Sequence, residues 1–295
     1  MNTAVRKEHP MSGQIAILAT AILMSTNGLF IKLLPWHPMV ITSIRSFIAI
    51  FFLLIIRVIV PPPKNVKNPT VPLIIAAILF VLTMYTFIIA NKITTAANAI
   101  VLQYSAPIWA ALLGWALVKE KPRWENWAAL VFISGGLLLF LRDGLASGAL
   151  LGDALAVCCG ICWGAYSVFT RMLKNGNPAD ALIIAHIIGA AVGIPFIIIY
   201  PPSISVNSVL SILYMGTIQI GLASILLAYG LKRIRAVQAM LISTIEPLLN
   251  PIWVLAITGE RPSPVAIAGG AIIITTVLVS SIIGMRRDSG SFENN

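Results

Sequence analysis

Residues 96–122 read AANAIVLQYSAPIWAALLGWALVKEKP, and residues 236–262 read AVQAMLISTIEPLLNPIWVLAITGERP. At one constant offset Ala96 matches Ala236, Ala99 matches Ala239, Pro107 matches Pro247, and Glu120-Lys121-Pro122 matches Glu260-Arg261-Pro262. The register extends without a gap towards the N-terminus: Lys92 matches Lys232, Pro61-Pro62 match Pro201-Pro202, and Pro38 matches Pro178. A weaker correspondence, four residues out of that register, pairs Gly28 and Phe30 with Gly164 and Tyr166. The chain therefore carries one structural unit twice.

The solvent of that unit follows from composition. Of the 295 residues 58% are hydrophobic and only 10% charged, with a mean hydropathy of +0.94; a soluble domain carries roughly a quarter charged residues. The apolar residues come in blocks of about 20, the length needed to cross a ~30 Å hydrocarbon core. Ten such blocks lie near 12–34, 38–60, 70–91, 94–118, 124–142, 149–173, 180–200, 208–231, 236–257 and 264–285. Backbone amides in lipid must be satisfied within their own segment, so the blocks are read as helices. The predicted class is an all-α membrane protein with five spans in residues 1–143, five in 144–287, and a disordered tail over 288–295. Five is odd, so the second unit enters the membrane from the opposite face. Such inverted repeats let two halves exchange conformations around a central cavity, the arrangement found in many secondary transporters.

The net charge of +10 does not point to nucleic acid. Basic residues sit in the short gaps between apolar blocks, with no aromatic-interleaved basic face. With the N-terminus in the cytoplasm, Lys32, Lys92, Arg142 and Arg261 fall outside and Arg45 falls within the second span. The other fifteen of the 20 basic residues fall inside. This bias predicts a multi-pass protein of the bacterial inner membrane with both termini cytoplasmic. The first block is too long for a cleavable leader and lacks a clear small-residue cleavage site. Cys158, Cys159 and Cys162 share one apolar block and have no partners elsewhere, which argues against a disulfide framework or a metal cluster. No cofactor is expected, and the predicted partners are membrane lipids and a small-molecule solute, with the protein a monomer or a dimer.

Each unit has a glycine patch with an aromatic in its first helix (Asn27-Gly28-Leu29-Phe30; Trp163-Gly164-Ala165-Tyr166), a proline opening its second, and Ala-x7-Pro-x12-Glu in its fourth. On these motifs the chain resembles the EamA-type members of the drug/metabolite transporter superfamily over essentially its whole length. The resemblance implies ten helices in two inverted repeats and a cavity lined mainly by the first, third and fourth helices of each half. It further implies transport of amino acids, other metabolites or toxic compounds, often as efflux. Asn27 departs from the Trp163 of the second half.

Glu246 stands out as an acid near the middle of the ninth block. An ionised carboxylate at that depth costs roughly 2.5–3.5 kcal/mol on insertion scales, so a partner, water or a proton must offset it. It is read as a proton-coupling group or an anchor for a substrate ammonium, against the alternative of a hydrogen-bonded carboxyl bracing a kinked helix. Ala239, Ser243, Glu246 and Asn250 fall on one helical face. Pro247 and Pro251 remove backbone donors beside it, which reads as a cavity wall or as a packing face. The equivalent face of the fourth block is Ala99, Gln103, Ala106, Ala110 and Gly114, small residues with Gln103 as the one polar member. Tyr104 and Asn98 lie nearby as substrate contacts or interhelical hydrogen bonds. Trp163, Tyr166 and Tyr85 are candidates for stacking on a cationic or apolar solute, or for packing. Arg45 is expected to snorkel towards the outer face or pair with carbonyls there, with a direct ligand role as the alternative. His186 is read as a packing residue. Glu120 and Glu260, at matching helix ends, suggest a structural or gating role.

These residues predict a secondary transporter of small polar metabolites, amino acids first, working by alternating access. Amines or drugs are the next class. An intramembrane enzyme would need paired carboxylates, a metal set or a nucleophile–base pair, and a scaffold would leave the buried acid and the prolines unexplained.

Overall fold

The computed structural model describes residues 10–59, 69–119, 124–147, 149–173, 179–231, 242–243 and 245–290. Among these the regular structure is helical, with no strand: α1 (Pro10–Ser25), α2 (Asn27–Leu33), α3 (Pro38–Ile59), α4 (Thr70–Ile93), α5 (Ala96–Gln103), α6 (Ala106–Val118), α7 (Trp124–Ser147), α8 (Leu150–Met172) and α9 (Ala179–Ile199). They are followed by α10 (Val206–Tyr214), a π-helical segment (Met215–Leu222), α11 (Ala223–Leu231), α12 (Ile245–Thr258) and α13 (Pro264–Gly290). Seven stretches are long and apolar enough to cross a membrane, and three shorter apolar helices, at Trp127–Gly136, Ile245–Thr258 and Pro264–Ser280, fall where the remaining blocks were expected. The protein is a multi-pass membrane protein. The N-terminal part of the ninth block lies largely outside the described residues. The last helix runs on to Gly290, so residues 288–290 of the expected tail are helical.

Three spans expected as continuous helices are interrupted. The first breaks between α1 and α2, where the Ser25 hydroxyl donates to the Ile22 carbonyl at 2.7 Å and Thr26 to that of Leu23 at 2.7 Å. Hydroxyls bonding back into the preceding turn bend a helix. The fourth breaks at Tyr104–Ser105, whose amides donate to Val101 and Leu102 in a tight turn. Pro107, at the start of α6, lacks the N–H that would have continued the ladder to Gln103. The eighth widens into the π-segment, a distortion frequent at functional sites.

The packing repeats the sequence symmetry. The third span packs on the sixth (α4 on α8) and, equivalently, the eighth on the first (α11 on α1). The fourth packs on the sixth (α5 and α6 on α8), and the ninth on the first (α12 on α1 and α2). The third meets the seventh (α4 on α9), and the eighth meets the second (the π-segment on α3). The pairs α3 with α9 and α7 with α13 map onto themselves when the halves are exchanged. Two glycines permit close approaches at equivalent crossings. A Cβ at Gly164 would lie 2.6 Å from the Ala106 carbonyl oxygen and 2.8 Å from the Ala110 nitrogen, and one at Gly28 would lie 2.5 Å from Asn250 Oδ1. Ala110 and Asn250 are themselves equivalent in the repeat.

One end of the bundle is tied by charge. Lys32, near the end of α2, pairs with Glu260 at 2.7 Å and donates to the Thr94 carbonyl at 2.8 Å. The other Glu260 oxygen accepts the Ala96 amide at 2.7 Å. That amide is one of the orphan donors that open α5, where a carboxylate is favoured. Glu260, expected in a structural or gating role, here ties α2 to the start of α5, while Glu120 lies outside the described residues.

Candidate functional site

The site is built where two interrupted spans face each other across the halves of the repeat. The break in the fourth span turns Tyr104 towards α12, and its hydroxyl lies 3.1 Å from Glu246 Oε2 and 3.0 Å from the Ser243 carbonyl oxygen. The single phenolic proton faces two acceptors. If the carboxyl carries a proton, it can donate to the phenol oxygen instead, leaving the phenolic proton for Ser243. The carboxyl thus keeps Tyr104 as a partner in either charge state, and its protonation frees the phenolic proton for the Ser243 carbonyl. Glu246 is partly buried, in the first turn of α12.

One turn on, Asn250 is fully buried, and neither atom of its amide has a hydrogen-bond partner among the described residues. An unsatisfied buried amide is costly in a native interior. Its amide occupies the space a side chain at position 28 would need, so Gly28 is required by Asn250. Trp253, on the same helix, donates to the Ser25 hydroxyl at 2.9 Å. Glu246, Asn250 and Trp253 thus run along the break in the first span.

The other flank of that break is polar as well. Arg45 is 4% exposed and donates to Asn27 Oδ1 at 3.2 Å. It does not snorkel outwards, and the carbonyl it pairs with is a side-chain one, because Asn27, the first residue of α2, offers its amide oxygen within the bundle. Gln219, on the π-segment, donates to the Thr26 hydroxyl at 3.2 Å, and that hydroxyl also meets Tyr214 at 3.1 Å. Phe30 stacks on Tyr214 with ring centroids 4.4 Å apart.

Of the residues singled out from the sequence, Glu246, Ser243 and Tyr104 therefore meet one another, while Asn250 and Asn27 adjoin the first-span break. The Gln103 side chain makes no hydrogen bond among the described residues. Asn98 is turned away: it donates to Asp153 Oδ1 at 3.0 Å, as does the Thr94 hydroxyl at 2.7 Å. Asp153 is fully buried in the first turn of α8 and was missed. Its signal was an acid three residues into an otherwise apolar helix, at the end the macrodipole favours. Tyr85 is a tie between helices, donating to the Gly189 carbonyl at 2.7 Å. Trp163 and Tyr166 stack on each other at 5.3 Å, and Phe80 lies against both and against His186. This aromatic group is separate from Glu246, and Trp163 is 37% exposed on α8. His186 is buried and contacts the Ser46 hydroxyl at 3.3 Å, the packing role expected of it. Cavities of about 690 Å³ between α2 and the eighth span, and about 470 Å³ between α7 and α13, are lined by none of the ten candidate residues.

The EamA-like transporter family model matches residues 11–142 and 150–282, one stretch in each half of the repeat. The chain belongs to the EamA-like transporter family. An Archaeoglobus fulgidus protein named only as an uncharacterized transporter is 24% identical over 91% of this chain and 96% of its own length. The Bacillus subtilis uncharacterized transporter YwfM is 28% identical over 90% of this chain and 92% of its own. A solved crystal structure matches the fold with a TM-score of 0.65 at 19% identity, covering 93% of this chain and 99% of that one. The ten-helix fold of the EamA family accounts for the placement of Tyr104 and Glu246. They stand on the fourth helix of each half, and the two fourth helices meet where α5 packs on α12.

Proposed function

We propose that this protein is a secondary transporter of small polar metabolites, with amino acids as the first substrate class and efflux as the direction. It works by alternating access in a bacterial cytoplasmic membrane with both termini inside. The observation that carries the reading is the hydrogen bond from Tyr104 to Glu246, which joins the first half of the repeat to the second at an acid within a membrane span. Rocking one half against the other must break or re-form that bond. The carboxyl then exchanges its phenol partner for a proton or for the ammonium group of a solute, so occupancy and conformation are linked. A carboxylate in a span is otherwise costly to keep, and this use explains why it stands there. Gln103, Ser243, Asn250 and the aromatics of α8 are assigned to the wall that the solute meets as the halves separate. Asn98 is assigned to bracing Asp153.

The test is counterflow of labelled amino acids into proteoliposomes preloaded with the unlabelled mixture. Accumulation of at least one is expected, with a dependence on pH that Glu246→Gln removes. Losing one charge-assisted contact costs roughly 1.5–3 kcal/mol, so Glu246→Gln should weaken apparent affinity about tenfold or more. Wild-type flux with an unaltered pH profile in that variant would remove Glu246 from the mechanism.

A further inference from the structure

The first-span break has an acidic flank at Glu246 and a basic one at Arg45, and the basic flank is the less explained. Arg45 is a cation about two turns into a membrane span, 4% exposed, and among the described residues it has one hydrogen bond, to Asn27, with its Nε unpartnered. The ion pairs among the described residues are Lys32–Glu260 and Arg57–Asp180, and neither involves Arg45. Asn27 is a neutral acceptor and leaves the positive charge uncompensated. A buried charge is retained where it is paired, and a guanidinium offers a planar fork that fits a carboxylate with two parallel hydrogen bonds. Asn27 and Gly28 are consecutive, so the residue that holds Arg45 adjoins the one that abuts Asn250, and Asn250 lies one turn from Glu246. The π-segment, whose Gly216 lies close to the Arg45 backbone and whose Gln219 holds Thr26, closes this flank.

We propose that the Arg45 guanidinium, steadied by Asn27, is an anion subsite that takes the carboxylate of the transported solute. The solute then carries a carboxylate, which is held at Arg45. The inference rests on the transport reading and narrows it: a cationic amine or a neutral drug would leave Arg45 without a counter-ion. The subsite is enclosed in this conformation.

The experiment is competition in the proteoliposome counterflow assay, each of the twenty amino acids being compared with its own carboxamide. The amide keeps the side chain and the ammonium and removes only the negative charge. In the wild type the free acid should compete about tenfold or more better than its amide. Asn27→Asp gives Arg45 a permanent counter-ion and should abolish that preference while leaving the melting temperature at or above the wild-type value. Arg45→Gln should abolish the preference too, but it carries a folding risk that Asn27→Asp does not. An amide that competes as well as its acid in the wild type overturns the subsite, and so does a preference that survives Asn27→Asp. A panel of simple primary amines separates the two readings. Flux of amines with no flux of amino acids sinks the anion subsite and leaves transport through Glu246 standing. Silence in both panels sinks both.

Discussion

Gly28 and Gly164 stand at matching places in the repeat, and each is pressed against a matching place on the fourth helix of the other half. At Gly164 the neighbours are backbone: the Ala106 carbonyl oxygen at 2.6 Å and the Ala110 nitrogen at 2.8 Å from where a Cβ would stand. At Gly28 they are side chains: the Asn250 amide at 2.5 and 3.0 Å and the Ala96 methyl at 3.1 Å. One crossing is small-residue packing of the kind that lets membrane helices approach closely. Its counterpart has the same approach but is filled by an amide with no partner. Position 246 repeats the lesson, since the acid there replaces Ala106 of the other half. The scaffold is symmetric in shape and asymmetric in chemistry, and the polar groups are concentrated on one of the two equivalent crossings.

The largest effect is expected where neither partner can move. Gly164→Leu drives a side chain into the backbone of α6, which has no rotamer to change. Overpacking of a core by even a methylene or two costs about 1–3 kcal/mol, and a whole isobutyl group against a carbonyl should exceed that. The expected outcome is loss of a monodisperse peak on size-exclusion chromatography in detergent. A folded, wild-type-like Gly164→Leu would mean that the α6–α8 crossing is looser than the distances indicate. Gly164→Ala is the milder version, with a loss of about 1–3 kcal/mol read as a lowered thermal midpoint.

Gly28→Ala should cost less than Gly164→Ala, because the atoms it meets belong to an amide that can rotate. Replacing a helical glycine by alanine also returns up to about 1 kcal/mol of helix propensity. The double variant Gly28→Ala/Asn250→Ala removes the clash and should recover the stability that Gly28→Ala loses. The interaction energy from such a cycle isolates the contact. A coupling near zero would show that position 28 feels Ala96 and not Asn250.

How much of this was legible beforehand depends on what kind of signal each feature leaves. The apolar blocks place the spans because water-to-lipid transfer acts on every residue of a 20-residue segment. The repeat register makes the fourth and ninth spans equivalent and brought Tyr104 and Glu246 to notice, while their hydrogen bond is seen only in the structure. The break at Thr26 leaves no proline or glycine ahead of it, and arises from two hydroxyls bonding backwards, a choice serine and threonine make only in some helices. Arg45 was expected to reach outwards because nothing in the sequence says that Asn27 faces it across two helices. Tyr85 and Asn98 were candidates by residue type alone, and their hydrogen bonds to Gly189 and Asp153 depend on which faces of α4, α8 and α9 meet.

The smallest effect on stability, and the sharpest test of the asymmetry, belongs to Asn250→Ala. The substitution makes the second crossing match the first, since Ala110 is its equivalent. Removing an amide whose donor and acceptor are both unpaired gives up no hydrogen bond and relieves a desolvation cost of about 1–3 kcal/mol. Against that stands the cavity left by the lost side-chain atoms, so the thermal midpoint should change by no more than the equivalent of about 1 kcal/mol in either direction. Transport should not be so indifferent. If the amide is kept unpaired for the solute, Asn250→Ala weakens apparent affinity in counterflow about three- to tenfold, the worth of one neutral hydrogen bond. A variant that is stable and transports like the wild type would show that Asn250 is only a spacer over Gly28. The chemical asymmetry would then reduce to Glu246 and Tyr104 on one flank and Arg45 on the other.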